Sequence, residues 1–333
     1  MASRHGKNRI RNFQVLNSRN YRVLFVLLLS VEVTGCTPAA PRSGIPMGWR
    51  QLGSEEISLP EGIRIFEGSN SDLPLRAWYV QVEESDPRIT TRVVLSEDAD
   101  RKESASEFAD RLGAAVVVNG GYFRMDLNPA RHVGLLYIDR EMVQPTFQSV
   151  VRDTLRYYMA RAALGFTQGG EIDVAWISSR NDSLFEWRSP PSNTEGMPSS
   201  PLDFMQAVPW MVRDALAAGP ALLQAGRIQI ATDQEVFFGS SIPMVHPRTA
   251  AGYTDTGDLI LLVVDGRQAA SRGVDLVELA TIMRDIGCVE ALNLDGGGSS
   301  TLVVDGTLIN RPAGGDYQRE VMSALAVFHR RVP

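Results

Sequence analysis

The stretch Asn293-Leu294-Asp295-Gly296-Gly297-Gly298-Ser299-Ser300-Thr301 shows most directly what kind of fold and site this chain forms. Two apolar runs flank it, and both are typical of buried strands. Asp295 is therefore expected at the C-terminal end of a strand, where the glycines allow the backbone to turn tightly and to approach a ligand closely. A carboxylate, three glycines and then hydroxyl groups suit a sugar or phosphate site. The same residues also form ordinary turns, so the other motifs of the chain decide between the two interpretations.

Three other predicted strand ends carry polar side chains of the same kind. Asn119-Gly120-Gly121 and Asp265-Gly266-Arg267 each follow an apolar run, and His246-Pro247-Arg248-Thr249 precedes a predicted strand. The guanidinium fork of an arginine in such a place can bind two phosphate oxygens at once. Pairing with a neighbouring carboxylate is an equal alternative for a single arginine.

The order of elements predicts that Asp265 and Asp295 lie at the same edge of a sheet. A helix over 276–285, with apolar residues at helical spacing, connects the two strands. A strand-helix-strand crossover brings both C-terminal strand ends to one edge, where ligands bind in α/β sheets. Glu278 follows Asp275 at the spacing of a capping box, which favours a structural role for Glu278 over a catalytic one.

The remaining pattern predicts an α+β (mixed α/β) fold, in which one large twisted mixed β-sheet carries several hairpins and flanking helices in a single domain. A short helix over 104–112 and a hairpin around Asp139-Arg140 are examples of these elements. Residues 178–203 are rich in Ser, Pro and Asn and are expected to form a long exposed loop. Trp187 and Trp210 flank this loop and are expected in the core rather than against a sugar ring.

The start of the chain has the features of an export signal. The first 22 residues carry six basic residues and no acidic one: Arg4, Lys7, Arg9, Arg11, Arg19 and Arg22. A short apolar segment follows, and then Val33-Thr34-Gly35-Cys36, which resembles a bacterial lipobox. We therefore expect a lipoprotein signal peptide over 1–36 with a lipidated Cys36, a Pro- and Gly-rich tether over 37–48, and a folded domain over 49–333. An ordinary secretory signal or an uncleaved anchor is the alternative.

Composition excludes several classes of protein. The net charge is −6 although the N-terminal segment is basic, which argues against a nucleic-acid partner. Cys36 and Cys288 are the two cysteines of the chain, so no disulfide framework is expected if Cys36 carries lipid. The sequence contains no CxxC, HExxH or EF-hand spacing. No cofactor is therefore expected, although a divalent cation held by Asp265 and Asp295 stays an open alternative.

Taken together, these motifs resemble the phosphodiester glycosidase family. The resemblance extends over roughly residues 75–328 and rests on segments that occur in the family's order: 119–123, 218–220, 246–250, 262–267, 278–280, 293–301 and 310–312. The chain departs from the family at two places. Ser323 stands where the family has Asn, and residues 178–215 resemble an insertion.

The resemblance implies a catalytic domain that hydrolyses a sugar-1-phosphodiester, such as an alpha-N-acetylglucosaminyl phosphodiester, at the glycosidic C–O bond. Asp295 is the first candidate, and Asp265 the second, for the carboxylate that acts at the anomeric carbon. Backbone N–H groups of the glycines would donate to oxyanions. The predicted substrate and phosphate contacts are Arg248, Arg267, Asn119, Gly120, Gly121, His246, Thr249, Gly296, Gly297, Gly298, Ser299 and Ser300.

The expected location limits the expected substrate. A lipid-anchored protein of the bacterial cell envelope, on its periplasmic face or at the outer membrane, would meet phosphodiester-linked exopolysaccharides or envelope polymers. The expected partners are therefore a small-molecule or polysaccharide substrate and a membrane that holds the lipid anchor. A non-catalytic envelope lipoprotein that binds glycans is the alternative, and it would tolerate loss of either aspartate with only a change in affinity.

Overall fold

Strands dominate residues 45–330, which a computed structural model describes. The predicted signal peptide with Cys36, and the tether up to residue 44, lie outside the described residues. Within 45–330 the chain forms one compact unit. None of the helices in this range is long and apolar enough to cross a membrane.

The described residues contain 24 strands. The first twelve are β1 (Gly48–Gln51), β2 (Ile63–Asn70), β3 (Leu75–Val82), β4 (Ile89–Leu95), β5 (Val116–Asn119), β6 (Phe123–Arg124), β7 (Arg131–His132), β8 (Leu136–Ile138), β9 (Glu141–Gln144), β10 (Ser149–Arg152), β11 (Leu155–Tyr158) and β12 (Arg161–Phe166). The others are β13 (Ile172–Arg180), β14 (Ser183–Trp187), β15 (Val208–Pro209), β16 (Asp214–Ala217), β17 (Ala221–Gln224), β18 (Arg227–Ile228), β19 (Arg248–Thr254), β20 (Leu259–Val264), β21 (Cys288–Asn293), β22 (Leu302–Val304), β23 (Thr307–Leu308) and β24 (Ser323–His329).

Most of these strands belong to three sheets. The eight-stranded sheet has the order β1-β2-β3-β20-β19-β21-β17-β18, the seven-stranded sheet β15-β14-β13-β12-β16-β8-β9, and the five-stranded sheet β23-β22-β5-β24-β4. Strand pairs of the described residues are antiparallel. The predicted α+β class is confirmed, but the single large sheet expected from the sequence is divided into three. Strand periodicity records which residues are buried and not which strands pair, so the sequence did not show this division.

The helices begin and end as their sequences require. Helix α1 (Ala105–Leu112) is capped by Ser104, and α2 (Leu276–Ile286) by Asp275. Each helix begins with a capping box. In α2 the side chain of Glu278 accepts from the backbone N–H of Asp275 at 3.0 Å. A glycine in the left-handed conformation ends each helix. The structural role predicted for Glu278 is thus confirmed.

The main hydrophobic core lies between the three sheets. It takes Val80 from the eight-stranded sheet, Leu164 from the seven-stranded sheet and Val118 from the five-stranded sheet, all completely buried. Helix α2 packs on another face of the eight-stranded sheet, and α1 packs on the five-stranded sheet. Because both faces of these sheets are covered, strands such as β20 are apolar along their whole length.

The predicted long loop over 178–203 is shorter than expected. Strand β13 continues to Arg180, and the hairpin to β14 turns at Asn181-Asp182, where both residues have positive φ. Asn and Asp tolerate this conformation better than other residues, which explains why polar residues mark a tight turn here. Trp210 is 6% exposed and donates from Nε1 to Asp173, so its predicted place in the core is confirmed.

The crossover that positions the candidate site has the predicted form. Strands β20 and β21 both pair antiparallel with β19, so they run in the same direction. Helix α2 connects them. Asp265 and Asp295 therefore follow strand ends on the same side of the eight-stranded sheet, as predicted.

Candidate active site

The side chain of Asn119 joins three segments at the strand ends. Its Nδ2 donates to the backbone carbonyl of Asp295 at 2.7 Å, and its Oδ1 accepts from Thr249 Oγ1 at 2.6 Å and from the backbone N–H of Thr301 at 3.2 Å. Asn119 is 1% exposed. Asn119 and Thr249 were predicted to contact substrate, but their polar groups bond to each other and to the backbone. The hydrogen bonds of Asn119 to Asp295 and Thr301 therefore fix the two ends of the glycine-rich stretch.

Asn293 fixes an aromatic side chain in a similar way. Its Nδ2 donates to Tyr122 Oη at 2.7 Å and to the carbonyl of Gly219 at 3.1 Å, and Tyr122 Oη donates to the same carbonyl at 2.8 Å. Burial raises the pKa of Tyr122 well above its usual range. The phenol therefore stays protonated and fixed, with its ring at the wall of the cavity described below.

Gly120 and Gly121 allow close approach of other segments rather than of a ligand. A Cβ on Gly120 would lie 2.5 Å from Ser323 Oγ, and a Cβ on Gly121 would lie 2.7 Å from His132 Nε2. Ser323, which has a short side chain, lies directly against Gly120. These glycines were predicted as substrate contacts, but the neighbours that require them are protein atoms.

The carboxylate of Asp295 lies at the start of the glycine-rich turn. Its Oδ1 accepts from the backbone N–H of Gly296 at 2.9 Å. Burial raises the pKa of Asp295 to about 6, although a hydrogen bond from Ser299 and the positive charge of Arg319 act in the opposite direction. At neutral pH most molecules therefore carry an ionised Asp295 that is poorly solvated, as a base or a nucleophile requires.

Two guanidinium groups lie against the glycines that follow. A Cβ on Gly297 would lie 3.1 Å from Nη2 of Arg267, and a Cβ on Gly298 would lie 2.5 Å from Nη2 of Arg319. Arg319 Nη1 also donates to Ser299 Oγ at 3.5 Å. Among residues 45–330 neither arginine forms an ion pair with Asp or Glu. Their charges are therefore available to an anionic ligand.

His246 and Arg248 complete this side of the site. His246 Nδ1 lies 3.2 Å from Arg267 Nη2, and its Nε2 lies 2.9 Å from the carbonyl of Ser241. Burial and the neighbouring arginines lower the pKa of His246, so the neutral ring can accept from Arg267 and donate to Ser241. Arg248 is 2% exposed and donates to the backbone carbonyls of Val274, Ile242 and Met244. It holds the segment before β19 and has little donor capacity left for a phosphate.

These side chains surround a cavity of about 180 Å³. Its lining residues are Tyr122, Ser241, Ile242, His246, Arg248, Arg267, Asp295, Gly296, Gly297, Gly298 and Arg319. Of the residues predicted from sequence, Ser299 and Ser300 are buried behind this lining. The sequence interpretation missed Tyr122, Ser241, Ile242 and Arg319. Tyr122 and Arg319 lie within or beside segments that resemble the family, whereas nothing in the sequence marked Ser241 or Ile242.

Asp265, the second catalytic candidate, has another environment. Its Oδ1 accepts from Asn310 Nδ2 at 3.0 Å and from the backbone N–H of Arg311 at 3.1 Å, and the residue is 1% exposed. It does not line the cavity that Asp295 faces. The structure therefore favours a structural role for Asp265. No group of three or more metal-ligating side chains occurs among residues 45–330, and the two aspartates have separate partners.

The chain belongs to the phosphodiester glycosidase family, whose model matches residues 112–328. It is 27% identical over 215 residues to N-acetylglucosamine-1-phosphodiester alpha-N-acetylglucosaminidase of Mus musculus, and this match covers 64% of the chain and 36% of the mouse protein. The chain thus spans about a third of the length of such relatives.

Solved structures show the same fold. The catalytic domain of zebrafish N-acetylglucosamine-1-phosphodiester alpha-N-acetylglucosaminidase, auto-inhibited by its pro-peptide, superposes with a TM-score of 0.60 at 22% identity, over 85% of this chain and 88% of that domain. A hypothetical protein from Synechocystis superposes with a TM-score of 0.58 at 18% identity, over 88% of this chain and 64% of the other.

Proposed function

We propose that this protein hydrolyses the glycosidic C–O bond of a sugar-1-phosphodiester. The single observation that carries the proposal is the position of Asp295 in one small cavity with Arg267 and Arg319. Among the described lining residues it is the only carboxylate, and both arginines lack an acidic partner there. A cavity with one carboxylate and two available guanidinium groups matches a ligand that has a phosphate beside a reactive carbon.

Hydrolysis of this bond needs few groups besides Asp295, Arg267 and Arg319. Arg267 and Arg319 hold the phosphodiester. Their positive charges therefore stabilise the negative charge of the phosphate as it leaves the sugar. The anomeric C–O bond breaks, the phosphate stays on the other partner as a monoester, and water supplies the new hydroxyl of the sugar. Most glycosidases use a second carboxylic acid to protonate the leaving group. A phosphate is a much better leaving group than a sugar alkoxide, so one carboxylate on the cavity is sufficient.

Asp295 acts at the anomeric carbon, as a nucleophile or as the base for water. Its raised pKa of about 6 leaves it mainly ionised at neutral pH. Gly296 holds one carboxylate oxygen, which fixes the orientation of the group. Tyr122 forms the wall on which the sugar ring rests. The relatives' names point to alpha-N-acetylglucosamine as the sugar.

The place of action that we propose is the bacterial cell envelope, with Cys36 as the site of a lipid anchor. The basic segment, the short apolar segment and the lipobox-like sequence before Cys36 support this proposal. The natural substrate would then be an exopolysaccharide or envelope polymer with sugar-1-phosphodiester bonds. Incorporation of labelled fatty acid into the wild type, and its absence from Cys36→Ser, would establish the anchor.

The test of the reaction is release of free sugar from methyl alpha-N-acetylglucosaminyl phosphodiester by the purified full chain. We expect release by wild type, with and without EDTA, and none by Asp295→Asn. Methyl phosphate must appear in equal amount, and in water labelled with heavy oxygen the label must enter the sugar and not the phosphate, because the C–O bond and not the P–O bond breaks. Binding of glycans without release from any sugar-1-phosphodiester would refute the proposal and favour the glycan-binding lipoprotein. Loss of release in EDTA that added cation restores would show a metal requirement.

A further inference from the structure

The carboxyl group of Glu235 is completely buried and has no part in the reaction proposed above. Its Oε1 accepts from the backbone N–H of Ala221 at 2.8 Å and from Trp176 Nε1 at 2.9 Å. Its Oε2 accepts from the backbone N–H of Ala162 at 3.1 Å. Ala162 and Trp176 belong to the seven-stranded sheet and Ala221 to the eight-stranded sheet, so this one side chain links the two sheets.

The charge of Glu235 does not explain its position. Burial raises its pKa to about 7, although its three hydrogen bonds and the positive charge of Arg161 act in the opposite direction. Removing a carboxylate from water is unfavourable unless hydrogen bonds compensate for the lost hydration. What the side chain contributes is therefore the place in which it holds its three donors.

The Gly219-Pro220 turn lies between Glu235 and the candidate active site. A Cβ on Gly219 would lie 2.3 Å from Glu235 Oε2, so the carboxyl group touches the turn directly. The carbonyl of Gly219 accepts from Tyr122 Oη at 2.8 Å and from Asn293 Nδ2 at 3.1 Å. A shift of the turn would therefore move the group that fixes the phenol of Tyr122.

The segment that carries Glu235 also supports the ring of Tyr122. The centroid of the Phe237 ring lies 6.0 Å from that of Tyr122, and a Cβ on Gly219 would lie 3.3 Å from Phe237 Cε2. Phe237 is 2% exposed, so it packs behind Tyr122 and not against a ligand. Both the hydroxyl and the ring of Tyr122 thus depend on the segment 235–237.

Asp295 is held mainly by other contacts. Its backbone N–H donates to the carbonyl of Gly120 at 3.1 Å, and its own carbonyl accepts from Asn119 Nδ2 at 2.7 Å. The Gly219-Pro220 turn pairs with the backbone of Asn293, two residues before Asp295, but neither of these two contacts involves the turn. A shift of the turn should therefore affect the wall of the cavity more than the carboxylate.

We propose that Glu235 is a positioning residue, which holds the Gly219-Pro220 turn and through it the ring of Tyr122 in the place where the sugar binds. The proposal rests on the proposed function, in which Tyr122 forms the wall for the sugar ring. Glu235 itself touches no ligand. It acts on binding of the sugar and not on the bond that breaks.

The first test is Glu235→Gln in the full chain. An amide oxygen can replace Oε1, but the amide N–H group then faces the N–H of Ala162 and lies against Gly219. We expect KM for methyl alpha-N-acetylglucosaminyl phosphodiester to rise about tenfold, as for the loss of one hydrogen bond. The change in kcat should stay within about twofold. A fall in kcat at unchanged KM would overturn the proposal.

Glu103→Gln is the matched control. Glu103 is 3% exposed and accepts from Ser96 Oγ, the backbone N–H of Glu97 and Arg111 Nε. It is a buried carboxylate of the same kind, but none of its partners lines the cavity. We expect Glu103→Gln to lower the melting temperature without a change in KM.

The second test separates the sugar from the phosphate. Calorimetry measures binding of the same phosphodiester and of inorganic phosphate to the Asp295→Asn chain, with and without Glu235→Gln. We expect weaker binding of the phosphodiester and unchanged binding of phosphate, because Arg267 and Arg319 and not Tyr122 hold the phosphate. An equal loss for both ligands would mean that the variant loosens the whole site, and this would overturn the proposal.

The third test needs no ligand. The chain has eight tyrosines, and after labelling with fluorotyrosine the Tyr122→Phe variant identifies the fluorine NMR signal of Tyr122. We expect this signal to shift or broaden in Glu235→Gln and to stay unchanged in Glu103→Gln. An unchanged Tyr122 signal in Glu235→Gln would overturn the proposal.

Trp176→Phe replaces Glu235→Gln in these tests if the latter does not fold. It removes one donor to the carboxyl group and keeps an aromatic ring, so the same changes are expected at a smaller size. If the wild type releases no sugar, the proposed reaction fails, while the NMR signal still decides whether Glu235 positions Tyr122.

Discussion

Two strand ends of the molecule have nearly the same sequence and different surroundings. Val264-Asp265-Gly266 begins with the last residue of β20, and Leu294-Asp295-Gly296 follows β21. At the first end the carboxylate is bound by Asn310 and the backbone of Arg311.

At the second end the carboxylate faces the cavity, with Gly296 as its backbone partner. The segment around Asn310 thus decides which aspartate is available for chemistry, and this segment is far away in sequence. At the first end the side chain that reaches the cavity is Arg267, two residues after Asp265.

Asp295→Asn is the strongest test of the difference between the two aspartates. The amide has the same shape but cannot act as a nucleophile or base, so we expect kcat to fall by about 10³-fold or more. Thermal unfolding should be nearly unchanged, because the Asn Oδ1 can still accept from Gly296. Sugar release and a melting curve measure the two effects. A variant with more than a tenth of wild-type kcat would show that the reactive carboxylate is elsewhere.

Asp265→Asn is expected to have the reverse effect. An amide oxygen at the Oδ1 position can still accept from Asn310 and Arg311, but the amide N–H group then stands at the Oδ2 position, 3.3 Å from the backbone N–H of Arg311, so that two buried donors face each other. We expect the free energy of unfolding to fall by about 2 kcal/mol, with a much smaller loss of kcat than in Asp295→Asn. Urea denaturation and sugar release measure both. Full stability with lost turnover would instead make Asp265 the catalytic group.

Much of this arrangement could be predicted from sequence because it depends on local rules. The capping box of α2, the strands that end at Asn119 and Asn293, and the crossover between β20 and β21 all follow from periodicity and turn chemistry. The resemblance to the family added the region in which the site lies.

The direction of individual side chains could not be predicted in the same way. Arg248 and Arg267 both looked like phosphate ligands, but the carbonyls of residues 242, 244 and 274 occupy Arg248, whereas the guanidinium group of Arg267 has one hydrogen-bond partner among residues 45–330, His246 Nδ1. Such occupancy depends on contacts between distant segments. For the same reason the sequence did not show that the strands divide into three sheets.

Gly298→Ala tests whether the position of the Arg319 guanidinium group beside Gly298 matters for substrate binding. The added methyl group would lie 2.5 Å from Nη2 of Arg319, so the guanidinium must move away from the cavity. We expect KM for the phosphodiester to rise about tenfold, with a smaller change in kcat. Gly53→Ala is the matched control, because nothing lies within 4 Å of its Cβ position. An unchanged KM in Gly298→Ala would remove Arg319 from the phosphate site.

The smallest effect is expected from removing the hydroxyl of Ser299, which donates a hydrogen bond to Asp295. If Asp295 acts in its ionised form, kcat/KM must fall as the pH drops through its pKa of about 6. The hydrogen bond from Ser299 favours the ionised form, so Ser299→Ala should raise the apparent pKa and move the acidic limb of the pH profile to higher pH. Activity would then be a few-fold lower near pH 6.5 and close to wild type above pH 8.

Ser300→Ala is the control for this shift, because the buried Ser300 hydroxyl has no hydrogen-bond partner among residues 45–330, so its removal should leave the profile where it is. A profile that falls with rising pH near 6 in the wild type would mean that Asp295 acts as an acid. In that case removing the Ser299 hydroxyl would widen the active pH range instead of narrowing it. The direction of the shift in Ser299→Ala therefore tells whether the carboxylate that the glycine-rich turn exposes acts as a base or nucleophile, or as a proton donor to the phosphate.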